Sequence, residues 1–144
     1  MNVIREYKVK RIIQGRIPKG EDLLKWLSEK IKELNIKAGM VSGIGAVTRA
    51  TIGYYDQIKR EYIIKSFNQP MEVLSLKGNI SIKDGVPFAH LHIVLGKEDF
   101  TAIGGHLFEG SEVFAFEFEI VEFEGEAFVR GFDSQTDLYL WQES

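Results

Sequence analysis

The stretch Phe88 to Phe108, FAHLHIVLGKEDFTAIGGHLF, decides how the rest of the chain is read. From Phe88 to Leu95 the residues alternate as in a strand. Phe88, His90, His92 and Val94 then face one way, and Ala89, Leu91, Ile93 and Leu95 the other. Gly96 to Phe100 turns the chain, and Thr101 to Gly105 brings it back, so that His106 approaches the face carrying His90 and His92. These are the only histidines in the sequence. Three neutral imidazoles that converge bind a divalent transition metal and leave one coordination position open.

Working outward, the flanking segments also read mainly as strands. Val3 to Ile13 mixes β-branched and charged residues and is expected to form a first strand, ended by Gly15, Pro18 and Gly20. Glu21 to Leu34 is the one convincing helix: Leu23, Leu24, Leu27, Ile31 and Leu34 make a single apolar stripe, Glu21 and Asp22 fall in the first turn, and Asn35 is the expected stop. AGMVSGIGAVTRATIGYYD holds two apolar stretches parted near Thr48 and Arg49. Its glycines do not make a phosphate loop, because the third glycine of GxGxxG is missing and no helix follows; close backbone approach or a bulge within a strand is expected instead.

A turn over Asp56 to Arg60 leads to a strand from Glu61 to Phe67, and Met71 to Ile82 supplies another. Asp84-Gly85 is a hairpin signal leading into the histidine strand. In VFAFEFEIVEFEG, Phe114, Phe116, Phe118 and Ile120 share a face, and the phase inverts from Val121, which predicts a bulge near Ile120 and Val121. Ala127 to Phe132 gives a last short strand before DSQTDLYLW. The expected fold is α+β, a mainly antiparallel sheet of about seven or eight strands with one principal helix, in a single domain over residues 1–144.

Composition sets the outer limits. The chain has 144 residues, of which 44% are hydrophobic and 27% charged, enough to bury a core without staples. No apolar run is long enough to span a bilayer and MNVIREYKVK does not read as a signal peptide, so a cytoplasmic location is expected. With no cysteine, thiolate ligands, thiol nucleophiles and disulfides are all excluded. The net charge of −3 argues against general nucleic-acid binding. The charge is uneven, however: residues 1–37 carry ten Lys/Arg against five Asp/Glu, and the remainder eight against sixteen. A basic face around Lys8, Lys10 and Arg11 is therefore one expectation, and solvated surface charge the more ordinary one.

Several motifs in order carry a family resemblance. Gly43-Ile44-Gly45-Ala46-Val47, Gly53-Tyr54-Tyr55-Asp56, Met71 to Ile80, His90-Leu91-His92 and Gly104-Gly105-His106-Leu107 together resemble the PPC domain, the plants-and-prokaryotes-conserved domain. The resemblance implies a largely antiparallel sheet and a homotrimer, and its HxH and GGH motifs are the family's histidine positions. Plant relatives place the domain beside AT-hooks, and prokaryotic single-domain relatives often carry a DNA-binding label. This chain lacks an AT-hook-like Arg-Gly-Arg and a helix-turn-helix pair.

Two functional readings follow. In the first, His90, His92 and His106 hold a divalent metal, zinc by default, whose open position takes water, an anion or a small ligand. Hydrolytic or lyase chemistry there would also need a base. Glu72 and Glu109 are the nearest candidates, and either is equally suited to orient an imidazole; Glu109 also reads as a plain turn residue. Arg11 and Arg16 are candidates to bind an anionic ligand across a subunit boundary, against the plainer reading of surface charge. No nucleophile constellation is visible, since Ser42 in SGIG is not a GxSxG elbow. In the second reading the histidines serve packing, and the protein is a DNA-associated or protein-associated regulatory module.

Overall fold

In the computed structural model, which describes residues 3–143, the chain runs β1 (Lys8–Ile17), α1 (Leu23–Glu33), β2 (Gly39–Asp56), β3 (Glu61–Phe67), β4 (Met71–Lys83), β5 (Val86–Gly96), β6 (Ala102–Leu107), β7 (Glu112–Glu124), β8 (Arg130–Asp133) and β9 (Leu138–Trp141). Seven strands form one antiparallel sheet in the order β1-β7-β2-β4-β5-β6, with β3 on β2. The remaining two form a separate hairpin. No helix among the described residues is long and apolar enough to cross a membrane.

The long strand β2 organises this sheet. Its first half, Gly39 to Val47, lies between β4 and β7. Its second half pairs with β3, and Ile52 and Gly53 pair with Leu107 and His106 of β6. Because β6 also pairs with β5, the strands β2, β4, β5 and β6 close into a ring. Two glycines permit the tight approaches. A Cβ at Gly78 would overlap the carbonyl oxygen of His90, and one at Gly105 would crowd that of Gly53.

The inner faces carry the core. Val41, Val47, Leu76, Leu91, Ile93, Leu95, Phe116 and Ile120 are buried together with Leu23, Leu27 and Ile31 of α1, each contributing about 1.5–3 kcal/mol of hydrophobic stabilisation. Trp26 of α1 meets Phe118 edge to face.

The structure corrects several boundaries. β1 begins and ends later than Val3 to Ile13 and runs through Gly15, whose missing side chain makes room for the Phe118 ring. Asp22 is the helix N-cap rather than a first-turn residue: its carboxylate accepts from the Lys25 amide at 3.0 Å and from Gly110 N at 2.7 Å. Asn35, at φ 53°, ends the helix as expected. The two apolar stretches parted near Thr48 and Arg49 belong to one strand, Gly39 to Asp56, and the glycine-rich part forms the expected bulge between Gly43 and Gly45.

The bulge expected at Ile120 and Val121 is absent, since β7 pairs without a slip there. The irregularity lies instead at Phe114, between Val113 and Ala115, and turns that ring outward. The phase therefore stays constant to Glu122, which is buried and ion-paired with Arg11 and Lys10. Finally, DSQTDLYLW supplies a ninth strand.

The closure makes a test. Gly78→Ala is expected to cost about 2–4 kcal/mol by forcing β4 from β5. Gly85→Ala, at φ 79° in an open turn, should cost only about 1 kcal/mol. Denaturant unfolding of both variants checks the difference.

Candidate metal centre

β5 projects His90 and His92 from the face opposite Leu91 and Ile93, as a two-residue period requires. Register then delivers the third histidine, because His92 lies directly across from His106 on β6. One ring nitrogen from each of the three lies within 4.8 Å of the others. The Nε2 atoms of His90 and His92 are 3.2 Å apart, close to the edge of about 3.4 Å expected for a tetrahedron with metal–nitrogen bonds of about 2.1 Å.

The surroundings fit an ion. His106 is wedged between Tyr62 of β3 and Phe108, with ring centroids 5.0 and 4.8 Å away. Its Nδ1 is buried and has no hydrogen-bond partner among the described residues, none of which competes for that nitrogen. His92 stays exposed, which leaves the cluster reachable from solvent. No carboxylate joins the cluster among the described residues; the donor set is three nitrogens, suited to a borderline divalent metal with an open position.

Both inner histidines are held neutral, the protonation state that a ligand needs. Burial first, then the neighbouring His106, Arg130 and His92, lowers the pKa of His90 from 6.5 to about 4. Burial and then His92 lower that of His106 to about 4. Burial, with Tyr55 second, raises the Tyr62 phenol above its ordinary value.

The other candidate residues lie elsewhere. Glu72 sits at the far end of β4, paired with Ala46 and Gly96. It is five residues from Lys77, which faces His92, or roughly 17 Å along the strand. It lines a groove with Leu74, Phe100 and Phe114. Glu109 is exposed in the bend after β6. Arg11 pairs with Glu122 and also donates to Leu34 O at 3.1 Å, while Arg16 lines an open groove with Ser42, Lys77 and Glu117.

Sequence reasoning missed Arg130 and Tyr62. Arg130 reaches the row of His90 by donating to Asn79 Oδ1 at 2.8 Å, across 51 residues of chain. No local pattern announces such a contact.

A closed antiparallel sheet with three imidazoles converging on its outer face defines a protein with a candidate divalent-metal centre. The chain belongs to the Plants and Prokaryotes Conserved (PCC, also written PPC) domain family, whose model matches residues 4–124. Among solved structures it is similar to a metal-containing protein from Archaeoglobus fulgidus, with 46% identity over 97% of this chain and 99% of that one, at a TM-score of 0.92. A PPC protein from Pyrococcus horikoshii is 36% identical over 99% of both chains, also at 0.92. A candidate DNA-binding protein from Bacteroides thetaiotaomicron is 29% identical over 94% of this chain and 96% of that one, at 0.86. A comparison with curated proteins finds no match.

The lowered histidine pKa values fix the sign of a pH effect. Between about pH 6.5 and 4 the unfolded chain binds protons at His90 and His106 that the folded chain refuses, so the metal-free protein loses stability as pH falls through that window. Chelator-treated protein is expected to show a lower denaturation midpoint at about pH 5.5 than at 7.5. A His90→Asn/His106→Asn variant should show a smaller drop.

Proposed function

We propose that the protein binds one divalent metal ion per chain through His90, His92 and His106, zinc being the first expectation, and presents its open coordination position to a small ligand. The observation that carries this reading is the convergence of three imidazole nitrogens within 4.8 Å. The Archaeoglobus fulgidus neighbour, a metal-containing protein, supports it. A bound ion of this type would supply Lewis-acid polarisation of a ligand oxygen or an acidified water. The chain's own part is to hold three neutral imidazoles in place with packed aromatic rings and strand register.

The DNA-associated reading has the Bacteroides neighbour behind it. Against it, Lys10 and Arg11 are engaged by Glu122, which diminishes the basic face that phosphate binding would need.

We further propose a homotrimer. Ile44, Leu74, Val94 and Phe114, on neighbouring strands, all remain exposed, as does Phe100 at 98%. A patch of this kind is covered when chains associate.

Two measurements test these readings. Untagged protein, assayed by plasma mass spectrometry after incubation with zinc and desalting, should hold about one zinc per chain, and His92→Ala should lose most of it. Wild-type protein that remains metal-free overturns the metal assignment. Light scattering on the eluted peak should return three times the 16.4 kDa chain mass, and Leu74→Glu should lower it toward that of a single chain.

A further inference from the structure

Arg130 opens the β8–β9 hairpin, beyond the 4–124 segment that the family model matches. Its guanidinium is fixed on three sides. Nε donates to Ser81 Oγ at 2.8 Å, Nη1 to Tyr139 O at 3.0 Å and Nη2 to Asn79 Oδ1 at 2.8 Å. It also stands over the rings of Phe88 and Trp141, at 5.5 and 5.7 Å.

All three acceptors are neutral. Among the described residues no carboxylate lies within ion-pairing distance of Arg130, whereas the partly buried Arg5 and the exposed Arg11 each have an acidic partner. A guanidinium has five N–H donors, so two remain after these bonds. A partly desolvated cation with spare donors and no counterion is an anion site.

Its position ties it to the metal centre. Asn79 is the cross-strand partner of His90, and Ser81 that of Phe88. The guanidinium thus stands over the two rows of β4 and β5 that begin with His90 and run away from His92. Successive rows on one face are about 7 Å apart, the span of a short chain of carbon atoms with a charged group at each end.

We propose that Arg130 anchors one end of a small dicarboxylate, about the size of succinate, whose other carboxylate takes the open position of the metal on His90, His92 and His106. This rests on the metal assignment above. A divalent ion and the guanidinium together place three positive charges where, among the described residues, no carboxylate joins the histidine cluster or pairs with Arg130, and a dianion compensates most of that charge. The planar guanidinium fork matches a carboxylate by two parallel hydrogen bonds, so it also fixes the ligand's orientation.

Calorimetric titration of succinate into zinc-loaded protein tests the proposal, with zinc content measured on the same samples. Succinate is expected to bind wild-type protein, and acetate about tenfold or more weakly. Arg130→Gln should weaken succinate by about tenfold or more while zinc content is unchanged. Asn79→Asp, which sets a permanent carboxylate against the guanidinium with almost no change of shape, should do the same and guards against a folding defect in the first variant. Zinc uptake without succinate binding, equal affinity in wild type and both variants, or binding of inorganic phosphate in preference to succinate would each overturn the dicarboxylate anchor. Failure to take up zinc would instead overturn the metal assignment on which it rests.

Discussion

The structure depends on one close approach: β6 must fit between β5 and the far end of β2. That position closes four strands on themselves, and it requires backbone against backbone at Gly105 and Gly53. The closure has two effects at once. It seals the end of the core around Leu107 and Ile52, and it carries His106 onto the surface where β5 presents its two histidines. Stability and the site therefore share a cause, and a side chain that pushed β6 outward would damage both.

The site's electrostatics follow from what is missing near it. Among the described residues no carboxylate joins the cluster to draw protons onto His90 and His106, and burial removes the water that would stabilise them as cations. The result is a set of unprotonated nitrogens at neutral pH. The aromatic wall of Tyr62 and Phe108 sets ring orientation by packing instead of by hydrogen bonds. Such a centre has a strong preference for cations that accept nitrogen donors and little for those that want oxygen.

Much of this was legible in the sequence because it rests on local periodicity. The alternation from Phe88 to Leu95 places His90 and His92 on one face, and the Leu/Ile stripe of α1 marks its buried side. Gly104 and Gly105 make no turn but pair within β6, opposite Val94 and Ile93, in the register that brings His106 beside His92. What escaped depends on contacts far apart in the chain. The phase inversion from Val121 read as a bulge, yet the strand runs on without one and Glu122 keeps the buried phase because Arg11, 111 residues away, pairs with it. Glu72 looked close to the histidines by sequence distance, but antiparallel pairing sends it to the opposite end of the strand. The strand over Ala127 to Phe132 was visible and corresponds to β8, but the contacts of Arg130 and the pairing of β9 were hardest to see. Their place is set by Asn79 and Ser81, and by the bond from Tyr55 to Thr136 O, none of which leaves a mark in the residues themselves.

The pairing of β1 with β7 has a kinetic side. Among the described residues, β1 is an edge strand that pairs with β7 alone, and Lys8 finds its partner in Glu124. Loop closure over such a separation must precede the energy it releases. During synthesis, β1 and the apolar Val9, Ile12 and Ile13 wait without a sheet until β7 has been made. The β5–β6 hairpin, by contrast, closes locally and early. The nascent protein therefore passes through a stage in which the histidine face already exists on a framework whose first strand is still unpaired, the stage at which it is most exposed to aggregation.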